Sequence, residues 1–408
     1  MSWRSAVLGA ALLGLVAPTA AEDGVRLTRW DGAVYGYLDS NTLRAGSVLN
    51  PGNRVARLSQ RSATLEGRFN VKAESDGLRL TLRPIVLEQQ AHSAVGDETR
   101  YEGYLSQWQL RLSAGEHWGL AAGRDLLNWG PAQFRSPASP FYFDSGRSNP
   151  MRELSGIDVV KVSWTPDRQT ALHLARVTGS GHMAPDPDPW RNSWLLKLDR
   201  RGEEWATGLA LAQAPGRLPF LGAHGQVTVS DALLLYAEVG SSTRARALQS
   251  PADAEQPFTV ATESPRRTNV LAGAAYTFES GRSFYTEYLY HGHGFTAPEE
   301  RAYFARAANA VTPEVAGLAL GAAPPLLGRH YLHLVWQSNM MEDGGYWRLM
   351  LTHNFTDGGS EVAGYDEVAL NRRVAAFVLG VLPLGGARQE FSALFSRSFT
   401  IGLKIFLP

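Results

Sequence analysis

Apolar and polar side chains alternate with a period of two on both sides of Asp76-Gly77, a dipeptide typical of a tight β-hairpin turn. Before the turn, Leu65, Phe69 and Val71 share one face with small residues, and the other face is charged or polar. The alternation continues after the turn over 78–86. About ten residues of alternation is long for a strand in a soluble domain, but it matches a strand that crosses a membrane.

The same period of two recurs along the rest of the chain. The polar face of these segments carries charges, which a packed β-sandwich core would not tolerate but a water-filled lumen would. Aromatic residues stand at the ends of many segments, where barrels have their interfacial girdles. The clearest segments lie at 104–112, 157–164, 194–199, 284–291 and 332–337.

Short turns and long connections interleave along the whole chain. The short turns are two or three residues long, as at 113–115 and 280–282. This rhythm predicts an all-β fold, a transmembrane antiparallel up-and-down β-barrel of about 18 strands with both chain ends on the short-turn side. The long connections are predicted at 41–56, 90–100, 130–155, 179–192, 213–219, 245–267, 296–328, 355–361 and 385–396.

The most unusual connection separates predicted strands at 118–129 and 157–164. It contains four prolines, which exclude a helix or a central strand. It is also more aromatic than a solvated loop, so we expect it to pack its own side chains. A segment that is too long for a hairpin, apolar and rich in arginine suits the inside of a large barrel. We therefore predict that it folds inward.

A second connection, at 296–328, contains a helix-compatible stretch at 298–306 with proline in its first turn. Two interpretations stay open for it. The stretch either folds inward as a plug or caps the barrel mouth as a small surface helix. A third connection carries Asp186 and Asp188, which are suitable calcium ligands. The prolines between and beside them favour a stiff exposed loop instead, and no metal site is predicted.

The N-terminal residues predict export. Arg4, an apolar stretch at 6–16 and small residues up to Ala21 have the pattern of a signal peptide, residues 1–21, which leaves 22–408 as a single barrel domain. The chain has no cysteine, as is usual for bacterial envelope proteins. Lys+Arg and Asp+Glu balance at 39 each, which gives no reason to expect a nucleic-acid partner.

The strand phase places more basic than acidic side chains inside the barrel. This excess favours anions in the lumen. The alternative is that the arginines pair with lumenal acids and loop carbonyls and only solvate the wall. The residues predicted to line the pore or contact a solute are Arg68, Arg79, Arg83, Arg111 and Lys161 on the wall, with Trp129, Arg135, Tyr142, Arg147 and Arg152 at the inward loop.

Catalytic signals are weak. Gly179-Ser180-Gly181-His182 lacks the strand–turn–helix context of a nucleophile elbow. His333, which precedes Ser338-Asn339, is predicted to face the lumen and not the lipid, unlike the catalytic histidine of barrel phospholipases. His291 and His293 have no carboxylate at metal-ligand spacing. We therefore predict no enzymatic activity and no cofactor.

The run Ala121–Pro131, with its Gly-Arg and Trp-Gly-Pro elements, resembles a strand end of Gram-negative outer-membrane barrels. The C-terminal stretch 399–408 resembles their terminal strand and assembly signal. The chain is thus similar to porins and to exopolysaccharide-export barrels, including the alginate-export-like and Wzi-type capsule-assembly groups. The resemblance implies an outer-membrane location after signal-peptide cleavage. It also implies an inward-folded constriction loop and contacts with lipid, lipopolysaccharide and the barrel-assembly machinery.

The sequence therefore predicts a porin-like channel for diffusion or export of polar solutes, anions among them. The alternative function is binding or export of a capsular or secreted polysaccharide. In that case Trp129 and Tyr142 would stack on sugar rings, and the arginines of the inward loop would bind acidic groups.

Overall fold

The computed structural model describes residues 25–182, 190–310, 312–339 and 345–408. The predicted signal peptide and the Asp186/Asp188 motif lie outside these residues. The strands are β1 Arg26–Leu43, β2 Arg61–Ser75, β3 Leu78–Ser93, β4 Gly96–Ala114, β5 Trp118–Asp125, β6 Ile157–Trp164, β7 Thr170–Gly179, β8 Trp194–Arg201, β9 Trp205–Gln213, β10 Phe220–Thr228, β11 Leu233–Ser242, β12 Ala245–Gln249, β13 Thr259–Glu263, β14 Arg267–Thr277, β15 Ser283–His291, β16 His330–Gln337, β17 Gly345–Asn354, β18 Ser360–Asn371, β19 Val374–Leu384 and β20 Phe395–Leu407.

Eighteen of these strands form one closed antiparallel barrel. Each strand pairs with its neighbour in the chain, and β1 pairs with β20 to close the sheet, with Gly32 opposite Leu407. The other two strands, β12 and β13, form a separate hairpin in the connection between β11 and β14. The predicted fold class and strand number are therefore confirmed. We call the two ends of the barrel the short-turn end and the long-loop end.

The faces of the strands have the predicted phase. Leu110 and Leu196 on the outer face are each 42% exposed, and Val160 is 53% exposed. Ile85, on the inward face of β3, is only 2% exposed. The exposed apolar outer face is the surface that contact with lipid requires.

One irregularity changes the phase of β4. The register of β3 with β4 shifts at Pro84, so that Tyr104 lies opposite the inward-facing Ile85. Tyr104 therefore faces the lumen, although simple alternation places it on the outer face. A β-bulge of this kind adds one residue to one strand and moves every later side chain to the other face.

Two predicted boundaries differ from the structure. Residues 90–100 do not form a long loop, because β3 continues to Ser93 and β4 begins at Gly96. The hairpin of β3 and β4 is consequently the longest pair in the barrel wall. In contrast, β5 ends at Asp125, before the predicted end at Trp129, and the chain turns inward from there.

Two helices lie in the connection between β15 and β16: α1, Ala297–Ala308, and α2, Pro313–Ala322. A capping box between Thr296 and Glu299 begins α1, and a proline stands in its first turn as predicted. The helices pack against Leu49, Leu248 and Ala393, which belong to other connections at the long-loop end. They therefore form a cap over this end, and the plug interpretation is not supported. No helix within the described ranges is long and apolar enough to span a membrane.

Candidate functional site

The connection between β5 and β6, residues 126–156, is the inner loop. It lies within the barrel, where its backbone is bonded to side chains of the opposite wall. Glu238, near the middle of β11, accepts hydrogen bonds from the N–H groups of Ala132 (3.0 Å) and Ala138 (3.2 Å) and from the Ser136 hydroxyl (2.6 Å). Glu238 is 2% exposed. A buried carboxylate that accepts three hydrogen bonds fixes the loop at mid-height in the barrel.

A second glutamate repeats this arrangement on β15. Glu287 accepts hydrogen bonds from the N–H groups of Gln133 (2.6 Å) and Phe134 (2.9 Å), and from the Tyr236 hydroxyl (2.7 Å). Glu287 is 1% exposed. Together the two carboxylates satisfy four backbone N–H groups of a segment that has no strand partner to do so.

A glycine on the wall and a glycine in the loop allow the two to approach closely. A Cβ on Gly240 of β11 would overlap the carbonyl oxygen of Pro137. Gly130 has a φ of 89° and faces the carboxylate of Glu238, which leaves no room for a side chain there. Both positions therefore require glycine for steric reasons, and Gly130 also requires it for its backbone conformation.

The aromatic residues of the inner loop pack within the barrel. Phe141 and Tyr142 lie against an apolar part of the inward wall that includes Val177 and Leu195. Trp129 meets the ring of Phe141 edge-on, with centroids 6.2 Å apart. These contacts confirm that the segment folds inward and packs its own side chains.

The polar atoms of Trp129 and Tyr142 are also bonded within the loop. The indole N–H of Trp129 donates to the carbonyl oxygen of Ala138 at 2.9 Å, and the Tyr142 hydroxyl donates to that of Ser155 at 2.7 Å. The geometry thus assigns both side chains a role in holding the loop together.

The arginines of the loop have partners too. Arg147 donates to the carbonyl oxygens of Gly130 (3.1 Å) and Ala132 (2.7 Å) and has no carboxylate partner among the described residues. Arg135 and Arg152 both form ion pairs with Asp144. These contacts tie the two halves of the loop to each other.

Of the predicted wall residues, three are paired with acids. Arg68 binds Glu66 through two nitrogens (2.8 and 3.0 Å) and donates to the carbonyl oxygen of Met151 in the loop (2.8 Å). Arg79 pairs with Glu74 (2.5 Å), and Lys161 pairs with Asp125 (2.6 Å).

The other two predicted wall residues differ. Arg83 and Arg111 face inward, and neither side chain has a hydrogen bond or ion pair within the described part of the chain. Gln107 lies opposite Arg83 on the neighbouring strand. Arg111 lies between Arg79 on one neighbouring strand and Ala121 on the other. Among the described residues, the structure therefore leaves two of the predicted wall residues without an acid partner, and the other three have the wall-solvating contacts that the alternative interpretation expects.

Glu238 was missed by the sequence analysis although a signal for it exists. In β11, Leu235, Ala237 and Val239 alternate with Tyr236, Glu238 and Gly240. This alternation places Glu238 inward. Glu287 is one of the acids that strand phase also turns inward, but its pairing with the loop depends on the tertiary fold.

His333 and His182, which lie near the weak catalytic signals in the sequence, have structural contacts. His333 faces the lumen as predicted, where it stacks on Phe134 with centroids 4.8 Å apart and bonds Thr352 at 2.9 Å. His182 stacks on Tyr104 and lies 3.0 Å from Glu102. Within the described ranges, no group of three or more acidic or histidine side chains is placed to hold a metal ion.

At the long-loop end, Glu390 joins the cap to the barrel. Its carboxylate accepts hydrogen bonds from the Leu327 N–H (2.8 Å), the Tyr331 hydroxyl (2.5 Å) and the Asn354 amide (2.9 Å). Burial raises the pKa of Glu390 to about 7. Its ionisation is therefore a candidate control on how firmly the cap is held.

Many solved structures resemble this one, among them two from Pseudomonas aeruginosa. The crystal structure of Pseudomonas aeruginosa OpdQ is 10% identical in sequence, with 93% of this chain and 99% of that chain aligned at a TM-score of 0.52. The crystal structure of P. aeruginosa OccK11 (OpdR) is 13% identical over 96% of this chain and 99% of that chain, at a TM-score of 0.50. At such low identities the likeness shows the barrel fold alone. Neither a protein-family model nor a curated protein matches the chain.

Proposed function

We propose that this protein is a porin-like outer-membrane channel that conducts small polar solutes, and that the inner loop narrows its pore. The observation that carries the proposal is the attachment of the loop to Glu238 and Glu287 at mid-height in the barrel. A rigid segment held across a wet lumen narrows the cross-section without closing the barrel wall. Prolines in the segment reduce the entropy cost of holding it there.

A preference for anions is the finer part of the proposal. Its support is the pair of inward guanidinium groups of Arg83 and Arg111, which have no acid beside them among the described residues. Arg147 adds a third cation that bonds only to carbonyl oxygens. Uncompensated charge in a narrow, low-dielectric passage acts on a permeating ion much more strongly than charge on an open surface.

The polysaccharide alternative has less support. Its proposed contacts, Trp129 and Tyr142, are bonded and packed inside the loop, which limits the ring surface available for stacking on sugars. The alginate-export-like and Wzi-type groupings stay predictions. The predicted signal-peptide cleavage, the lipopolysaccharide contacts, the assembly machinery and the absence of enzymatic activity also stay predictions.

Single-channel recording in planar bilayers tests the proposal. We expect a steady open conductance from the purified full chain and a larger one after deletion of residues 132–145, because this deletion removes the segment that binds both glutamates. Heat-modifiable migration on gels checks that the variant still forms a barrel. A wild-type chain that folds but carries no current contradicts the channel function.

A further inference from the structure

A cavity of about 380 Å³ opens at the long-loop end, above the inner loop. Its walls come from segments that are distant in sequence: the inner loop, Trp190 before β8, the connection before β10, the end of β11 with the start of the β12 hairpin, the start of β14, the end of β15, and the end of α2 with the residues after it. This volume lies in the range of small-molecule sites in proteins. Its place above the constriction means that an incoming solute meets it first.

The charge of the cavity is strongly positive. The described residues that line it include Arg217, Arg244 and Arg246 and no aspartate or glutamate. Arg217 has an acid partner outside the lining, Glu263, at 3.3 Å. The other two arginines have no carboxylate partner among the described residues.

The two arginines without an acid partner are held in different ways. Arg244 donates to the carbonyl oxygen of Ala323 in the cap. Burial lowers the pKa of Arg244 to about 10, which still leaves the side chain protonated at neutral pH. Arg246 has a φ of 49°, a left-handed conformation that disfavours residues other than glycine. The cavity thus carries two guanidinium charges that have no carboxylate partner among the described residues.

The remaining lining includes apolar aromatic side chains and the buried His291. Phe143 and Phe220 contribute aromatic rings. His291 bonds the side-chain oxygen of Asn269 through Nδ1 at 3.0 Å, and the Gly292 N–H donates to the same oxygen. Nδ1 of His291 is therefore the protonated nitrogen, since Asn269 supplies an acceptor. Nε2 has no hydrogen-bond partner within the described part of the chain, but it is buried and therefore offers no contact to a ligand in the cavity.

From these features we propose that the cavity binds a phosphorylated sugar or a similar hydroxyl-bearing phosphate monoester before it passes the inner loop. Two uncompensated guanidinium groups match a dianionic phosphate better than a single carboxylate, and their planar forks suit its oxygens. The aromatic rings of the lining suit the C–H surface of a sugar ring. The proposal rests on the channel function, because it names the class of solute that the channel admits.

Titration of the purified full-length barrel tests the binding directly, with glucose 6-phosphate, glucose and inorganic phosphate as probes in isothermal calorimetry. We expect glucose 6-phosphate to bind at least ten-fold more tightly than either of the other two. R246Q alters an exposed side chain and should weaken glucose 6-phosphate binding several-fold, and the double variant R244Q/R246Q should abolish it. R388Q, which removes an exposed arginine from another connection at the same end, is the matched control and should change nothing.

The same preparations, recorded in planar bilayers, separate this inference from the proposed function. A steady conductance without saturable binding of glucose 6-phosphate overturns the inference and leaves the channel standing. Saturable binding without conductance contradicts the channel and leaves the site standing. Equal affinities for glucose 6-phosphate and inorganic phosphate overturn the sugar part, since the cavity then selects only an anion. Unchanged binding in R246Q and the double variant overturns the location.

Discussion

Glu287 and Phe134 are 153 positions apart in the chain, yet the carboxylate of Glu287 accepts the backbone N–H of Phe134 at 2.9 Å. This hydrogen bond joins the middle of one barrel strand to a segment that turns inward from the wall between two other strands. The interaction explains how a loop without secondary structure holds one position inside a wide lumen. It also identifies the wall glutamates as the residues on which the pore geometry depends.

Replacement of Glu287 by glutamine should loosen the inner loop. The glutamine amide has one oxygen acceptor where the carboxylate has two. Its NH₂ group is a donor and cannot accept a hydrogen bond from a backbone N–H group. Loss of a hydrogen bond to a charged group costs about 1.5–3 kcal/mol, which increases the undocked population of the loop roughly ten-fold or more. Single-channel recordings of E287Q should therefore show more frequent conductance steps. E74Q is the control, because Glu74 bonds only Arg79 near the short-turn end. Equally quiet currents in E287Q and wild type would refute the role of Glu287.

Substitution of Gly240 by alanine should displace the inner loop where it contacts β11. The added Cβ overlaps the Pro137 carbonyl, so the loop must shift while the strand itself accepts alanine. We expect a changed unitary conductance with an intact heat-modifiable barrel. In G380A the new methyl group on β19 meets open space, and this variant should conduct like the wild type. If the conductance of G240A equals that of the wild type, the displaced loop does not set the width of the pore.

The charge of the lumen is tested by changing Arg83 and Arg111 together to glutamine. Because neither side chain has an acid partner among the described residues, their removal takes net positive charge out of the passage. The reversal potential in a salt gradient should shift toward cations, and the shift should be larger at low salt, where the screening length is longer. R388Q should leave the potential unchanged. No shift in the double variant would assign both arginines to wall structure alone.

The outer face is tested by an arginine at Leu209, a mid-strand residue on β9 that is 53% exposed. A charge in the lipid-facing belt should destabilise the barrel by about 2–4 kcal/mol if it lies near the bilayer midplane. The same substitution at the inward-facing Thr81 should be tolerated. Urea titrations of both variants in lipid vesicles measure the difference, and equal stability of the two would contradict the assignment of the faces.

The strand number and the faces of most strands follow from the sequence because they depend on local chemistry. Side-chain alternation records the two environments of a strand, and turn residues mark its ends. A proline inside a strand is a signal for a bulge, but it does not show where the facing strand changes phase, so the inward position of Tyr104 was not predicted. The early end of β5 was also hidden, since Leu127 and Trp129 remain apolar but pack inside the barrel.

The site was less predictable than the fold. The aromatic and proline content of the inner loop indicates that it folds inward, but not which strands it touches. Its attachment requires Glu238 and Glu287 to meet backbone groups about a hundred or more positions away, and no local pattern encodes such a pairing. Similarly, the pairing of Arg79 with Glu74 follows from hairpin register, whereas the Arg68–Met151 contact follows only from the loop path.

The last prediction concerns the pH dependence of the cap and rests on Glu390, whose buried carboxyl has its pKa raised to about 7. Its ordinary value is 4.5, so the protonated form is favoured in the folded cap. The stabilisation is fully present below pH 4.5 and is lost as the pH rises through 7, a difference of about 3 kcal/mol. Glu300 keeps its proton over this range, because burial and the nearby Asp357 and Glu390 raise its pKa to about 10.

Between pH 5 and pH 8, hydrogen exchange of the amides in α1 and α2 should therefore increase more with pH than the intrinsic exchange rates do. E390Q cannot ionise, so its corrected exchange rates should stay constant over this interval. E255Q, which changes an exposed glutamate at the same end of the barrel, should behave like the wild type. The same pH dependence in E390Q as in the wild type would show that another group controls the cap. After correction for the intrinsic rates, faster exchange at pH 5 than at pH 8 would contradict the sign of the shift. A raised carboxyl pKa stabilises the cap only at low pH.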